Sequence, residues 1–276
     1  MPGPENQSRQ VCKGKDWEHT GPTFTIVISL SLQDMLSTTI RKQIDSLGIA
    51  DVVRLQKRVL IAAKAHNGEL KLGTFFGGSE LIRFVIDHLL YFLRREYGCK
   101  LDLVHVFSVA KDEWKRDLIN SLEQGLNAPQ HSFSDILELE ANEWCGEELL
   151  SGEKMRLPIT DINFFGFDCD TIAAPNMSET PFNKATCLEL AFGKTGKTGR
   201  ATVKAIIDLR SPTSVLENSK LLGAADLKYL TQCLNAHGFY VHAFVASALD
   251  YGSSTARERQ IMVVHDEEGA FKRPGA

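Results

Sequence analysis

Five stretches of this chain place residue types at spacings that could do chemistry. GTFFGGSE, from Gly73 to Glu80, sets the pair Gly77 and Gly78 between a strand-like run and a long amphipathic one. Glycines at such a turn let backbone approach a bound group closely, and the first amides of a helix are free to donate to it. VFSVAKDEWKR, from Val106 to Arg116, ends a second strand-like run where a nucleotide-binding α/β sheet sets an acid against ribose hydroxyls. Ala110 follows that run directly, and Asp112 stands two residues on. Asp135 and Ile136 close a third run with the types to meet the edge and the face of a purine. FDCDTIAAPNMS carries an apolar strand into Pro175, which cannot donate to a sheet ladder, and then into Asn176, Met177 and Ser178. AFGKTGKT, from Ala191 to Thr198, meets a loose phosphate-loop pattern in which backbone amides and Lys197 would cradle phosphates.

The composition limits what such residues can belong to. The chain has 276 residues, about a quarter of them charged, and a formal net charge of −4, so it is not basic throughout. Six cysteines lie far apart with no CxxC pair, which reads as reduced thiols in a cytosolic or nuclear protein. His88, His105, His237 and His242 sit in apolar or surface patterns without metal-ligand spacing, so no metal is expected. The longest apolar run, Pro22 to Leu32, is too short for a membrane span and is interrupted by hydroxyl residues.

Alternating patterns supply the elements that must position these residues. Residues 1–21 read as a flexible tail, and 22–68 as a strand or packed arm followed by two helices. From Leu70 a strand leads through the glycine turn to a helix over Glu80 to Tyr97. Further strands are expected at Val104 to Val109, Ser132 to Ile136 and Phe164 to Ala174, with 142–158 looped or briefly helical. Gly193 to Gly199 reads as a loop before a helix or strand to Leu209, and strands near Ser214, Tyr240 and Gln260 surround a helix from Ala225 to His237. Such alternation predicts an α/β domain over 69–265, Rossmann-like, with a mostly parallel sheet and helices on both faces, before a polar tail at 266–276.

Taken in order, GTFFGGSE, HVFSVAKDEWKRDLI, FSDILEL, FDCDTIAAPNMS, GKTGRATVKAI, SVLENSKLL and the stretch from Leu234 to Val264 resemble the catalytic domain of DNA cytosine-5 methyltransferases. The most specific part is a helix, a strand, then Asp250, Tyr251, Gly252 and the run Arg257, Glu258, Arg259. The resemblance implies a methyltransferase fold that binds S-adenosyl-L-methionine and receives a cytosine flipped out of DNA. It implies that Gly73, Thr74, Phe75, Gly77, Gly78, Ser79, Glu80 and Pro175 border the cofactor. Asp112 would lie near its ribose, and Asp135 with Ile136 at its adenine. Glu217 would be the acid that hydrogen-bonds the cytosine ring, and Arg257 and Arg259 would hold the base carbonyl and its neighbours with their planar forks.

The chain also departs from that pattern. The family's nucleophile is a cysteine directly after the proline, and here Asn176 follows Pro175. A neutral amide cannot make the covalent attack on carbon 6 that activates carbon 5. Cys169 lies seven residues earlier and Cys187 eleven later, too far along the chain to replace it. Ala110 stands where the ribose acid belongs, and Thr255 replaces a glutamine before the arginines. The sequence stops twelve residues after Val264, where the resemblance leads one to expect a target-recognition region and a final helix. The expectation is therefore a methyltransferase-like protein, inactive or severely impaired in methyl transfer. The alternatives are an active methyltransferase on DNA or RNA cytosine or another substrate, and a phosphate-loop nucleotide-binding protein.

Overall fold

A computed structural model describes residues 67–76, 81–98, 100–122, 128–170, 172, 186–247 and 258–266, together with scattered positions between 38 and 57. Of those scattered positions, Thr38, Arg41, Lys42, Ala50, Val52, Val53 and Lys57 are helical, and Arg41 reaches Glu96 at 3.0 Å. The described elements run in the order β1 (Glu69–Phe75), α1 (Leu81–Tyr97), β2 (Asp102–Val109), α2 (Glu113–Leu122), β3 (His131–Phe133) and α3 (Ile136–Ala141). After them come β4 (Cys145–Glu147), β5 (Lys154–Arg156), β6 (Ile162–Phe165), α4 (Gly193–Leu209), β7 (Thr213–Ser219), α5 (Ala224–Ala236), β8 (Phe239–Ser247) and β9 (Glu258–Asp266).

Seven of the strands form one sheet in the order β3-β2-β1-β6-β7-β9-β8. The first five are parallel to their neighbours, and β9 runs antiparallel to both β7 and β8. The chain builds outward from β1 to β3 and then returns to the other side of β1, so the order reverses between β1 and β6. In a Rossmann-like sheet that reversal opens a crevice beyond the carboxyl ends of the two strands.

Burial explains why these runs became interior strands. Leu72 to Phe75 are all buried, as expected of a central parallel strand covered on both faces. On one side α1 packs Leu90 and Leu93 over Leu72, Leu101 and Leu103. A separate and larger cluster joins Phe75, Phe107, Phe133 and Phe165 to Ile136 and Leu139 of α3, Ala201 to Ile206 of α4, and Leu230 and Leu234 of α5. Gly73 is fixed by this packing, because a Cβ there would come within 2.4 Å of the Phe107 ring and 2.5 Å of Asn163 Oδ1.

Four local outcomes differ from the pattern-based expectation. β3 stops at Phe133, because Asp135 leaves the ladder to cap α3 by accepting from the Leu137 amide at 3.0 Å. β6 ends at Phe165, and of the apolar residues beyond Gly166, the described Phe167, Cys169 and Ile172 are not in a strand, while Ala173 and Ala174 lie outside the described residues. The 142–158 stretch forms the β4–β5 hairpin, entered through Glu143 and Trp144 at positive φ of 54° and 64°. Its far side is tied down by Glu148, whose carboxylate accepts from the amides of Ser132, Leu150 and Ser151. Finally, Gly193 to Leu209 is one continuous helix with no preceding glycine loop.

Candidate functional site

The site is built on an aromatic floor. Phe75, Phe165 and Phe133 are the last residues of β1, β6 and β3, and Phe107 lies two residues before the end of β2. The Phe75 and Phe165 rings stack at 4.4 Å, Phe107 meets Phe75 edge-on at 5.2 Å, and Phe133 meets Phe107 edge-on at 6.5 Å. Edge-to-face and offset stacked contacts of this kind add about 0.5–1.5 kcal/mol each beyond area burial. Four neighbouring strand ends are thereby held as one rigid platform.

Beyond the strand ends lies a cleft of about 100 Å³, bordered among others by Phe76, Val109, Ala110, Gly166 and Thr198, while the four rings stay buried and do not line it. Phe76 sits at a φ of +61°, a region that non-glycine residues rarely adopt. Its amide donates to Val109 O at 2.8 Å, which pins the turn out of β1 against the end of β2. Phe75 therefore joins the floor while Phe76 lines the cleft.

The rim of the cleft is charged. Lys111 reaches Asp135 Oδ2 at 2.8 Å, and Lys115 reaches Asp112 at 2.6 Å. From the opposite wall, in the first turn of α4, Lys194 reaches Asp168 at 3.1 Å and Asp170 at 3.2 Å. Hydrogen bonding and charge from Asp135 push the Lys111 ammonium up from its ordinary value, and Lys115 likewise holds the Asp112 carboxyl below its own. Burial works to lower the Lys194 ammonium, but the bonds and charges of Asp168 and Asp170 outweigh it and raise it. The Arg116 guanidinium donates to the carbonyls of Ala110 and Lys111 at 2.8 and 2.6 Å, fixing the path of the turn.

Beside the cleft, Glu217 near the end of β7 accepts from Arg259 Nε of β9 at 2.6 Å. Gly166 connects the two places: it borders the cleft, and a Cβ on it would lie 3.8 Å from Glu217 Oε2. Asn218 is buried, donating to Phe167 O at 2.8 Å, so the strand carrying Glu217 is anchored to the segment that leaves β6.

The residues singled out from the sequence are distributed as follows. Asp112 and Asp135 border the cleft, and Glu217 and Arg259 form the adjacent pair. Both Asp135 oxygens are engaged, one with the Leu137 amide and one with Lys111, and Ile136 is buried in the core. Thr74 is buried with its hydroxyl 3.1 Å from His105 Nε2, and Phe75 is in the floor. Gly77, Gly78, Ser79, Glu80, Pro175, Asn176 and Arg257 lie outside the described residues. In the glycine and lysine stretch, Gly193 to Thr198 form the first turns of α4, and a Cβ on Gly196 would meet Cys187 O at 2.2 Å. A Cβ on Gly199 would meet Leu188 Cδ2 at 2.0 Å, so these two glycines let the helix seat closely on the 187–188 turn.

Sequence reasoning passed over Phe76, Lys111, Gly166 and Lys194. Lys111 had a readable signal, because it stands two residues past the strand end where a ribose contact is expected. Lys194 had none, since its partners Asp168 and Asp170 lie over twenty residues away along the chain. A larger hollow, about 640 Å³, opens among α3, α4 and α5. Lys204 and Arg200 in it are engaged with Glu140 and the Tyr229 hydroxyl, and it runs along the helix layer, sharing Leu137 with the strand-end cleft.

No family model matches the chain, and no curated protein does. Among solved structures, the Entamoeba histolytica methyltransferase EhMeth is 12% identical with a TM-score of 0.43, over 71% of this chain and 53% of that one. A protein encoded within an E. coli prophage and described as a DNA modification methyltransferase is 13% identical with a TM-score of 0.46, over 74% and 49%. The S. pombe Dnmt2 methyltransferase is 8% identical with a TM-score of 0.41, over 71% and 49%. The chain thus spans about half the length of the solved structures it matches.

Proposed function

We propose that the chain is a methyltransferase-like protein of the DNA cytosine-5 kind, keeping a nucleoside cleft and a base-holding pair, in which methyl transfer has been lost at Asn176. The observation that carries this reading is the position of the Glu217 carboxylate. It is held by Arg259 at 2.6 Å and lies beside Gly166 at the edge of the switch-point cleft. A carboxylate so placed can take a hydrogen bond from a base ring while the guanidinium next to it meets a carbonyl. The reversed strand β9, set between β7 and β8, also distinguishes this sheet from the all-parallel dinucleotide-binding order.

S-adenosylmethionine fits the cleft only in part. The bare backbone at Gly166 and the apolar side chains of Val109 and Leu137 suit a nucleoside, with Asp135 at the adenine end. At the ribose end Ala110 offers no carboxylate to the hydroxyls. When bound, that cofactor supplies an electrophilic methyl group. The thiolate needed to ready cytosine is the missing partner, since Asn176 follows Pro175. Cys187 cannot replace it: the thiol is fully buried and donates to Asp226 Oδ2 at 3.1 Å. Burial first, and then Asp226, push it up to about 12. On this reading the polymer partner is DNA, bound without turnover.

Two measurements on the full chain test the reading. Calorimetric titration with S-adenosylmethionine and S-adenosylhomocysteine is expected to give binding. The Asn176→Cys variant is expected to transfer labelled methyl to cytosine-containing DNA. Absence of any nucleoside binding up to millimolar ligand, together with a silent cysteine variant, overturns it.

A further inference from the structure

We propose that the ribose end of the cleft selects an adenosine whose ribose carries a phosphate, at the 2′ or 3′ oxygen, over one with a bare ribose diol. This rests on the reading above that the cleft takes an adenosine-type ligand. In a Rossmann-like sheet, the residues just beyond the second strand meet the ribose: an acid there binds the two hydroxyls, and a cation there accommodates a phosphate. An acid would also repel a phosphate. In this chain the first residue beyond β2 is Ala110, only 2% exposed and bordering the cleft. It contributes neither a hydroxyl acceptor nor a repelling charge.

The cations are placed to take over that role. Lys111 follows directly, with a side chain that is 68% exposed, and Lys115 stands one helical turn further along. Lys194 enters from α4 on the opposite wall, close enough that Lys111 and Lys194 act on each other's charge and both act on Asp112. The turn itself does not depend on the lysines, because Arg116 holds the carbonyls of Ala110 and Lys111.

The present partners of the lysines do not prevent such binding. Lys111 is exposed but the Asp135 side chain is only 11% exposed, so parting them costs more than the about 1 kcal/mol or less of a fully exposed pair. If Lys111 turns away, Asp135 still holds the Leu137 amide. A phosphate offers three acceptor oxygens and close to two negative charges, and bonds between two ionised groups are roughly twice as strong as neutral ones. The competing explanation is a solvated rim in which three lysines do no more than offset the charge of Asp112, Asp135, Asp168 and Asp170. The two explanations differ in how binding responds to one added phosphate.

The experiment compares AMP, adenosine 2′,5′-bisphosphate, adenosine 3′,5′-bisphosphate and S-adenosylhomocysteine by calorimetry on the full chain. AMP shares the 5′ phosphate with the bisphosphates, so any gap reports the ribose phosphate alone. One bisphosphate is expected to bind at least about tenfold tighter than AMP, a difference of about 1.4 kcal/mol. The gap should close in Lys111→Ala and persist in Lys111→Arg, with melting curves confirming that both variants fold. Equal binding of AMP and both bisphosphates, or a gap that survives Lys111→Ala, overturns the inference. S-adenosylhomocysteine binding tightest, with the bisphosphates no better than AMP, overturns it too and leaves the nucleoside cleft standing. If none of the four binds at millimolar concentration, the inference fails, and if the Asn176→Cys variant is silent as well, the proposed function fails with it.

Discussion

Glu217 and Arg259 meet at 2.6 Å across the junction of β7 and β9, although the register sets Arg259 opposite Ser219 and Glu217 opposite Ile261. They are diagonal neighbours on one face of an antiparallel pair, a spacing that only long side chains bridge. Each is about one-third exposed or less, so the pair contributes about 1 kcal/mol or less to stability. Glu217→Ala is expected to lower the melting temperature by no more than about 4 °C. In the Asn176→Cys background the same change should lower methyl transfer at least about a hundredfold, the usual contribution of a positioned acid or base. Melting curves and labelled-methyl assays on the single and double variants check both halves.

The two readings of the glycine and lysine stretch lead to opposite variant behaviour. Gly196 lies where a Cβ would come within 2.2 Å of Cys187 O, a backbone atom that cannot swing aside. Gly196→Ala should destabilise by about 1–3 kcal/mol, the usual range for overpacking. Lys197→Ala should be near neutral in a urea titration and should leave binding of AMP and S-adenosylhomocysteine unchanged. A stable Gly196→Ala variant, or nucleotide binding that disappears with Lys197, would return the stretch to a phosphate-cradling role.

Far from the cleft, Arg210 closes the last strand. It donates to both oxygens of Asp266 at 2.8 and 3.0 Å, and its guanidinium lies 5.0 Å from the Phe239 ring centroid. Asp266 is 1% exposed, so Arg210→Ala leaves a buried carboxylate without this partner and should cost about 3 kcal/mol, toward the low end for such pairs because Arg210 is partly exposed. The backbone of Arg210 is also left-handed, with φ at +46°. Arg210→Gly should therefore be more stable than Arg210→Ala by about 1 kcal/mol, although it lacks the same side chain. Denaturant midpoints of the two variants measure the difference.

Glu148 predicts an acid-sensitive hairpin. Burial alone would raise its carboxyl, but the amides of Ser132, Ser151 and Leu150 outweigh that and hold it below the ordinary value. A carboxyl depressed in the folded state contributes stability that is present above its unfolded value, about 4.3, and is lost as pH falls through the folded one. Glu148→Gln should be less stable at neutral pH, and its stability should fall less steeply than wild type below about pH 4.3. Urea midpoints measured between pH 3 and pH 7 test the slope, and parallel curves for the two proteins would contradict it.

The sheet was legible because hydrophobic periodicity is a local property. Runs such as Leu70 to Phe75 and Val104 to Val109 are short, mostly apolar and bounded by turn residues, which marks them as strands. The glycines of α4 were misjudged as loop residues because their reason lies in another segment, the Cys187 and Leu188 backbone and side chain. The end of β3 was placed late, although Asp135 followed three residues on by Glu138 is a helix-opening pattern. Glu217 and Arg259 were legible only through family resemblance, since nothing in their own neighbourhoods says that they meet. The rim lysines depend on partners brought together by folding, and only the position of Lys111 after a strand end hinted at its role.

The four phenyl rings at the strand ends have a consequence for how such a chain can change over time. The groups that hold the molecule together, those rings with Gly196, Gly199 and the Arg210–Asp266 pair, are different residues from Glu217 and the rim lysines. A lineage can therefore change the charge along its rim without loosening the scaffold, and selection for foldability gives no protection to the chemistry carried there. Structural inheritance and chemical inheritance are uncoupled in this fold, and new ligands can be tried on a platform that stays intact.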